Sequence, residues 1–261
     1  MRRYLIASIV LLLSVSLGAQ QISWKRSAMD GHRTAAYKTD PSAKPYKGGS
    51  TAKVEALVQA AQPAMADVKQ VVGYSNNGMY SRGADTPLAN FATDALLAAS
   101  EKAFGRKADF AILNSGGIRA AVPQGEVLKD DIMSIFPFKN FFVLVEYPGS
   151  VMLDLLKSMA QRHFQPVAGV EAVVENRELV SAKVGGKEID PDGVYYLATI
   201  DFLLGSGDNM RLAQGATNIQ RTQLLVFDVI MDYINSFTAS GRSLDCEPDG
   251  RVKYIGMEVW R

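Results

Sequence analysis

One cysteine, Cys246, in a chain of 261 residues is the feature that most narrows how this protein can fold. No intrachain disulfide can form, so stability must come from a buried apolar core. The material for a core is present: 48% of the residues are hydrophobic and 21% charged, a balance that excludes disordered, collagenous and coiled-coil classes. The histidines, His32 and His163, are as scarce. His-rich dimetal centres and zinc ribbons therefore cannot be built from this chain alone. With 28 basic and 27 acidic residues there is no electrostatic footprint for a nucleic acid polymer.

Residues 1–20 (MRRYLIASIVLLLSVSLGAQ) read as a signal peptide. Arg2 and Arg3 precede an apolar run from Tyr4 to Leu17, and small residues follow at Gly18 and Ala19. The run is shorter than the roughly 20 residues of a membrane span, and no cysteine follows it for lipid attachment. The expectation is an exported chain, periplasmic or extracellular. Without Arg2 and Arg3 it carries 26 basic against 27 acidic side chains, a net charge of −1. Residues 21–50 are linker-like, ending in DPSAKPYKGGS, and His32 lies among them without evident partners.

From residue 51 to 261 the pattern is that of one domain. Helical spacing runs over Ala52–Gln70, with Pro63 as a break. Val71–Ser75 reads as a strand, and Thr86-Pro87 as an N-cap and first turn opening a helix through Ala99. Strands are expected at Phe110–Leu113, Asn140–Tyr147, Val170–Val174, Leu179–Val184, Val194–Ile200 and Arg251–Ile255. Gly185-Gly186 is a hairpin turn. Helices are expected at Gly149–Arg162 and Thr222–Phe237. The fold class is therefore α/β (α+β): a single layered domain with a mixed sheet and flanking helices, without internal repeats.

Three loops stand out. Asn114-Ser115-Gly116-Gly117-Ile118-Arg119 follows a strand; its glycines allow close backbone approach to a ligand, and Arg119 offers a fork of donors to an anion. It is neither a P-loop nor a nucleophile elbow, and by itself it also reads as a tight turn with an exposed Arg. In Ile135-Phe136-Pro137-Phe138-Lys139-Asn140, Phe136 reads as core, while a ring held rigidly in the loop could stack on a flat base. In Asp201-Phe202 and the following Gly205-Ser206-Gly207-Asp208, an aromatic precedes a Gly-rich turn carrying a carboxylate, which also suits a simple turn-former. His163 reads as a helix C-terminal residue favoured by the dipole, and Cys246 has no surrounding motif.

Together these stretches resemble the C-terminal, substrate-recognition domain of 5′-nucleotidases. The resemblance rests on NSGGIR at 114–119, SIFPFKN at 134–140, DFLLGSGD at 201–208 and TPLANFATDAL at 86–96, and runs from about Val68 to Val259. It implies that Phe138 and Phe202 sandwich a base, as two rings about 7 Å apart can. By the same resemblance Asp208 holds the ribose hydroxyls, Asn140 reads a base edge, and Arg82 and Arg119 face the phosphate. Asn114, Gly116, Gly117, Gly205 and Gly207 belong to the supporting loops. The family often carries a further Arg four residues before the position of Arg82; here Gly78 stands there.

The family's catalytic half is a separate metallophosphoesterase domain with two metal ions, and none of its motifs occurs here. The resemblance thus implies a free-standing recognition domain with no cofactor and no catalytic residue of its own. It would serve nucleotide catabolism, hydrolysis to nucleoside and phosphate, beside a separately encoded metallophosphoesterase that holds the divalent metals. The alternatives are a stand-alone nucleoside- or nucleotide-binding module and a structural protein that has lost the clamp. Family members acting on UDP-sugars and cyclic nucleotides leave the ligand's exact form open.

Overall fold

In the computed structural model, residues 60–256 are described, together with Lys53 and Leu57 ahead of them. The expected signal peptide, the linker-like segment with His32, and most of the first half of the 52–70 helix lie outside the described residues. Near Pro63 the chain forms a short 3-10 turn, Gln62–Met65. The elements then run β1 (Val71–Ser75), α1 (Pro87–Phe104), β2 (Phe110–Ile112), β3 (Gly125–Leu128), α2 (Lys129–Ile135) and β4 (Phe141–Pro148). They continue as α3 (Gly149–Gln161), β5 (Val167–Ala168), β6 (Val170–Glu175), β7 (Glu178–Val184), β8 (Lys187–Glu188), β9 (Val194–Ile200), β10 (Asn218–Leu225), α4 (Val226–Ala239) and β11 (Val252–Ile255).

The mixed α/β content is as expected, but the strands divide among three sheets rather than one. The central sheet has five strands in the order β10-β4-β9-β2-β5; β11-β6-β7-β8 form a second sheet, and β1 pairs with β3 alone. At the heart of the central sheet, β9 lies antiparallel to β4 and parallel to β2. Its residues Leu197, Ala198, Thr199 and Ile200 are buried. A β-branched, aromatic sequence (VYYLATI) suits such a strand. Tyr147, Phe110, Phe142 and Phe164 are the largest fully buried side chains of the core. The Tyr147 hydroxyl donates to the carbonyl of Leu212, which satisfies its one polar atom in the interior.

Helix α1 packs against β2, β5 and α4, while α3 packs against β4, β7 and β9. In α3, Met152, Leu156 and Met159 are buried, as their spacing predicts. The Gly185-Gly186 turn has positive φ at both residues, 56° and 76°, the geometry for which glycine is favoured between β7 and β8.

Two local expectations are corrected. Thr86 stands at the N-cap of α1, but its hydroxyl makes no capping bond; the atom is buried without a partner, and the helix starts on Pro87 and the backbone bond from Asn90 to Thr86. The helix expected over Thr222–Phe237 begins only at Val226, because Asn218–Leu225 pairs with β4 as an edge strand. Pairing with a buried strand outweighed the helical spacing, which holds from Val226 through Ile230 and Ile234. Among the described residues no helix is long and apolar enough to cross a membrane.

Candidate functional site

Strand direction assembles the site. Since β2 and β10 run parallel to β9 in the central sheet and β4 runs against it, the ends of β2, β9 and β10 and the start of β4 meet at one edge. In open sheets this crevice beyond the carboxyl ends of strands is where ligands bind. Four chain segments arrive there: 114–119 after β2, 201–209 after β9, 138–140 before β4, and Val226 after β10.

Hydrogen bonds pin these segments to one another. Thr199 Oγ1 donates to the carbonyl of Ile112 at 2.9 Å, tying β9 to β2 where both end. The N–H of Phe141 donates to Asp201 Oδ1 at 2.9 Å, and the N–H of Val226 to the carbonyl of Asn140 at 2.9 Å. The N–H of Arg119 donates to the carbonyl of Ile135, also at 2.9 Å, which holds the 114–119 loop beside the end of α2.

Within that frame, Ser115–Gly117 forms a single 3-10 turn. Asn114 is almost fully buried at 4% exposure; its Nδ2 donates to Asp208 Oδ2 at 2.6 Å, while its Oδ1 has no partner. Gly117 leaves room for this amide: a Cβ there would lie 2.7 Å from Asn114 Oδ1. Asp208 adopts the left-handed conformation, φ 45° and ψ 28°, and Asn209 and Arg211 follow with φ of 57° and 51°. Such backbone costs on the order of 1–2 kcal/mol per non-glycine residue, and its concentration here marks a loop held in place by its surroundings.

The aromatic rings differ in burial as the loop reading expects. Phe136 is in the core at 8% exposure, whereas Phe138 and Phe202 are 49% and 47% exposed. Phe202 sits in the 3-10 turn Asp201–Leu204. Gly207 packs on its ring so closely that a Cβ would come within 2.7 Å of a ring carbon. Phe138 and Asn140, with Asn114, Gly117, Phe136 and Val226, line a small apolar pocket closed by Leu113, Ile118 and Ile200. Arg119 is exposed, and its guanidinium folds back to donate to the carbonyl of Gly116 at 3.1 Å.

The structure thus joins Asn114, Gly116, Gly117, Arg119 and Asp208 by contact, with Phe202 attached through Gly207 and Phe138 and Asn140 through the pocket. Gly205 lies between Phe202 and Gly207 in the same loop. Arg82 is not drawn in: it is exposed in the segment before α1, and among the described residues no hydrogen bond or pocket contact links it to the others.

Sequence reasoning missed three residues. Asp201 was a neighbour without a role, and Gln165 was not singled out, yet its Oε1 accepts from the N–H of Ser115 at 2.9 Å. His163 is more than a helix-end residue: α3 ends at Gln161, and the imidazole Nε2 lies 3.4 Å from Ser115 Oγ. The signal for both was tertiary, the antiparallel pairing of β5 with β2. Among the described residues no group of three or more His, Cys, Asp or Glu could hold a metal ion.

The family profile described as 5′-nucleotidase, C-terminal domain, matches residues 65–215, the stretch that carries all of these loops. The chain belongs to this family. It is 27% identical over 153 residues to a 5′-nucleotidase of Vibrio parahaemolyticus, covering 57% of this chain and 27% of that one. To Protein UshA of Escherichia coli it is 27% identical over 152 residues, 56% of this chain and 28% of that one. The crystal structure of a 5′-nucleotidase precursor from Thermus thermophilus superposes with a TM-score of 0.70 at 22% identity, over 80% of this chain and 44% of that one. That likeness shows the fold of the C-terminal domain. The chain thus spans little more than a quarter of the length of these curated relatives, the first of which is named a 5′-nucleotidase.

Proposed function

We propose that this chain is an exported module of nucleotide catabolism that recognises a nucleoside or nucleotide, with the phosphate-ester hydrolysis carried out by a separately encoded metallophosphoesterase. The observation that carries the reading is the pair of half-exposed rings, Phe138 and Phe202, on two loops at one sheet edge beside Asp208 and Asn140. Rings half-exposed on two loops of the same site offer flat apolar faces, and a purine or pyrimidine face is a fitting cover for them. In this reading Asp208 accepts from ribose hydroxyls, Asn140 reads a base edge, and Arg119, with Arg82 moving in, faces the phosphate. The glycines of both loops let the sugar approach the backbone. In this reading the chain contributes affinity and orientation, and bond cleavage falls to the partner.

A thermal-shift series on the full chain with adenosine, AMP, a UDP-sugar and inorganic phosphate tests recognition, since a ligand that binds only the folded state raises the melting point. A shift with nucleosides or nucleotides supports the reading; no shift with any of them removes it. AMP hydrolysis by the pure chain that persists in a chelator would remove the division of labour. Partnership is read from a metallophosphoesterase of the same host: faster AMP turnover on adding the chain supports it, and unchanged turnover counts against it.

A further inference from the structure

Resting on that reading, we infer that His163 is a ligand-binding residue, a donor to the anionic group of a phosphorylated ligand that sits over the Ser115–Gly116 turn. Its position is built, not incidental. Strands β2 and β5 pair Ala111 with Ala168 and Ile112 with Val167, and the N–H of Leu113 continues the ladder to the carbonyl of Pro166 at 3.1 Å. Carried on, this register brings the chain before β5 alongside Ser115, where Gln165 locks it through the 2.9 Å bond to the Ser115 N–H. Phe164 and Gln165 are buried, at 2% and 8% exposure, and anchor the backbone. The imidazole one residue earlier is left at the surface of the loop.

What surrounds the ring points to an anion. Its contact with Ser115 Oγ, at 3.4 Å, is longer than a good hydrogen bond. No carboxylate forms an ion pair with it among the described residues; Asp208, the acid of the neighbouring loop, accepts from Asn114 through Oδ2. Arg119 reaches the carbonyl of Gly116, so an arginine and a histidine contact adjacent residues of one turn. A phosphate lying over the turn would meet the Arg119 fork, the Ser115 hydroxyl and the His163 ring N–H together. At Gly78, where the family often has an arginine, this chain has none, and His163 offers a donor from a different element.

The test is the selectivity of the full chain for AMP over adenosine, measured by titration calorimetry on the wild type, His163→Ala and Arg119→Ala. Expected for His163→Ala, which removes the donor, is a loss of AMP affinity of roughly three- to tenfold, the scale of one hydrogen bond near solvent. Adenosine affinity and the melting temperature should stay as in the wild type, since a merely structural role would move these. Equal losses for AMP and adenosine, or no change in either, overturn the inference while leaving nucleoside recognition intact. A wild type that binds adenosine but gains nothing from the phosphate overturns it as well. If the wild type binds neither compound, the proposed function fails and this inference fails with it.

Discussion

Asn114 Nδ2 donates to Asp208 Oδ2 at 2.6 Å, joining the loop after β2 to the loop after β9 across 94 positions of sequence. This bond orients a carboxylate on a left-handed residue, and Asn114 in turn depends on the open space at Gly117. The proposed sugar contact is therefore set by two residues that touch each other before they touch a ligand.

The two glycines of the turn should consequently behave differently. A Cβ at Gly117 would lie 2.7 Å from Asn114 Oδ1, whereas one at Gly116 meets Asp208 Oδ2 only at 3.4 Å. Gly117→Ala is expected to push the amide off Asp208 and weaken adenosine binding about as much as Asn114→Ala, by about 1–3 kcal/mol. Gly116→Ala should stay within about 1 kcal/mol of the wild type. Calorimetric titration of the three variants compares them directly.

The rings give a second test. Phe138→Ala and Phe202→Ala are each expected to cost about 1–3 kcal/mol of nucleoside affinity, the range for base stacking on an aromatic side chain. Both rings are half-exposed, so chemical denaturation should register little loss of stability. Gly207→Ala leaves both rings in the sequence, but a Cβ there would run into the Phe202 carbonyl as well as its ring; it should shift this loop and lower affinity alongside Phe202→Ala. Unchanged binding in either ring variant would remove the clamp.

Acid should act at Asp245, outside the loops of the candidate site. Burial pushes the Asp245 carboxyl up, but N–H groups of Asn76 and Asn77 and the hydroxyls of Ser75 and Ser243 outweigh it and hold the group well below the usual carboxylate range. A carboxyl depressed in the folded state contributes stability that is present above its unfolded value, about 3.9, and is lost as the pH falls below it. Melting curves from pH 7 to pH 3 should therefore show a steeper final fall in the wild type than in Asp245→Ala, which starts lower at neutral pH.

Arg251 predicts the converse, a stability effect without a binding effect. Its guanidinium donates to both oxygens of Asp94 at 2.8 and 3.2 Å and to Asp249 at 2.7 Å, with only 11% of the side chain exposed. These bonds hold the segment before β11 to α1. Arg251→Lys keeps the charge but loses the planar fork, and Arg251→Ala also strands Asp94, so losses of about 1–2 and about 2–4 kcal/mol are expected. Urea denaturation measures both, and adenosine affinity should not change.

The sequence by itself determined the elements whose signal is local. Val194–Ile200 is a strand because its side chains suit no other place, α3 follows the spacing of Met152, Leu156 and Met159, and Gly185-Gly186 turns because both residues take positive φ. It also identified the loops that carry the candidate site, since glycine, aromatic and carboxylate residues in those orders are the mark of the family. Tertiary structure decided the rest. Asn218–Leu225 reads as the start of a helix until β4 offers it a ladder, and Thr86 reads as a capping side chain until packing buries its hydroxyl. The partners of Asp208, Ser115 and His163 lie tens of residues away, chosen by strand order and register rather than by spacing. Local periodicity reports which face of an element is apolar; which loops meet is settled only when the strands choose their neighbours.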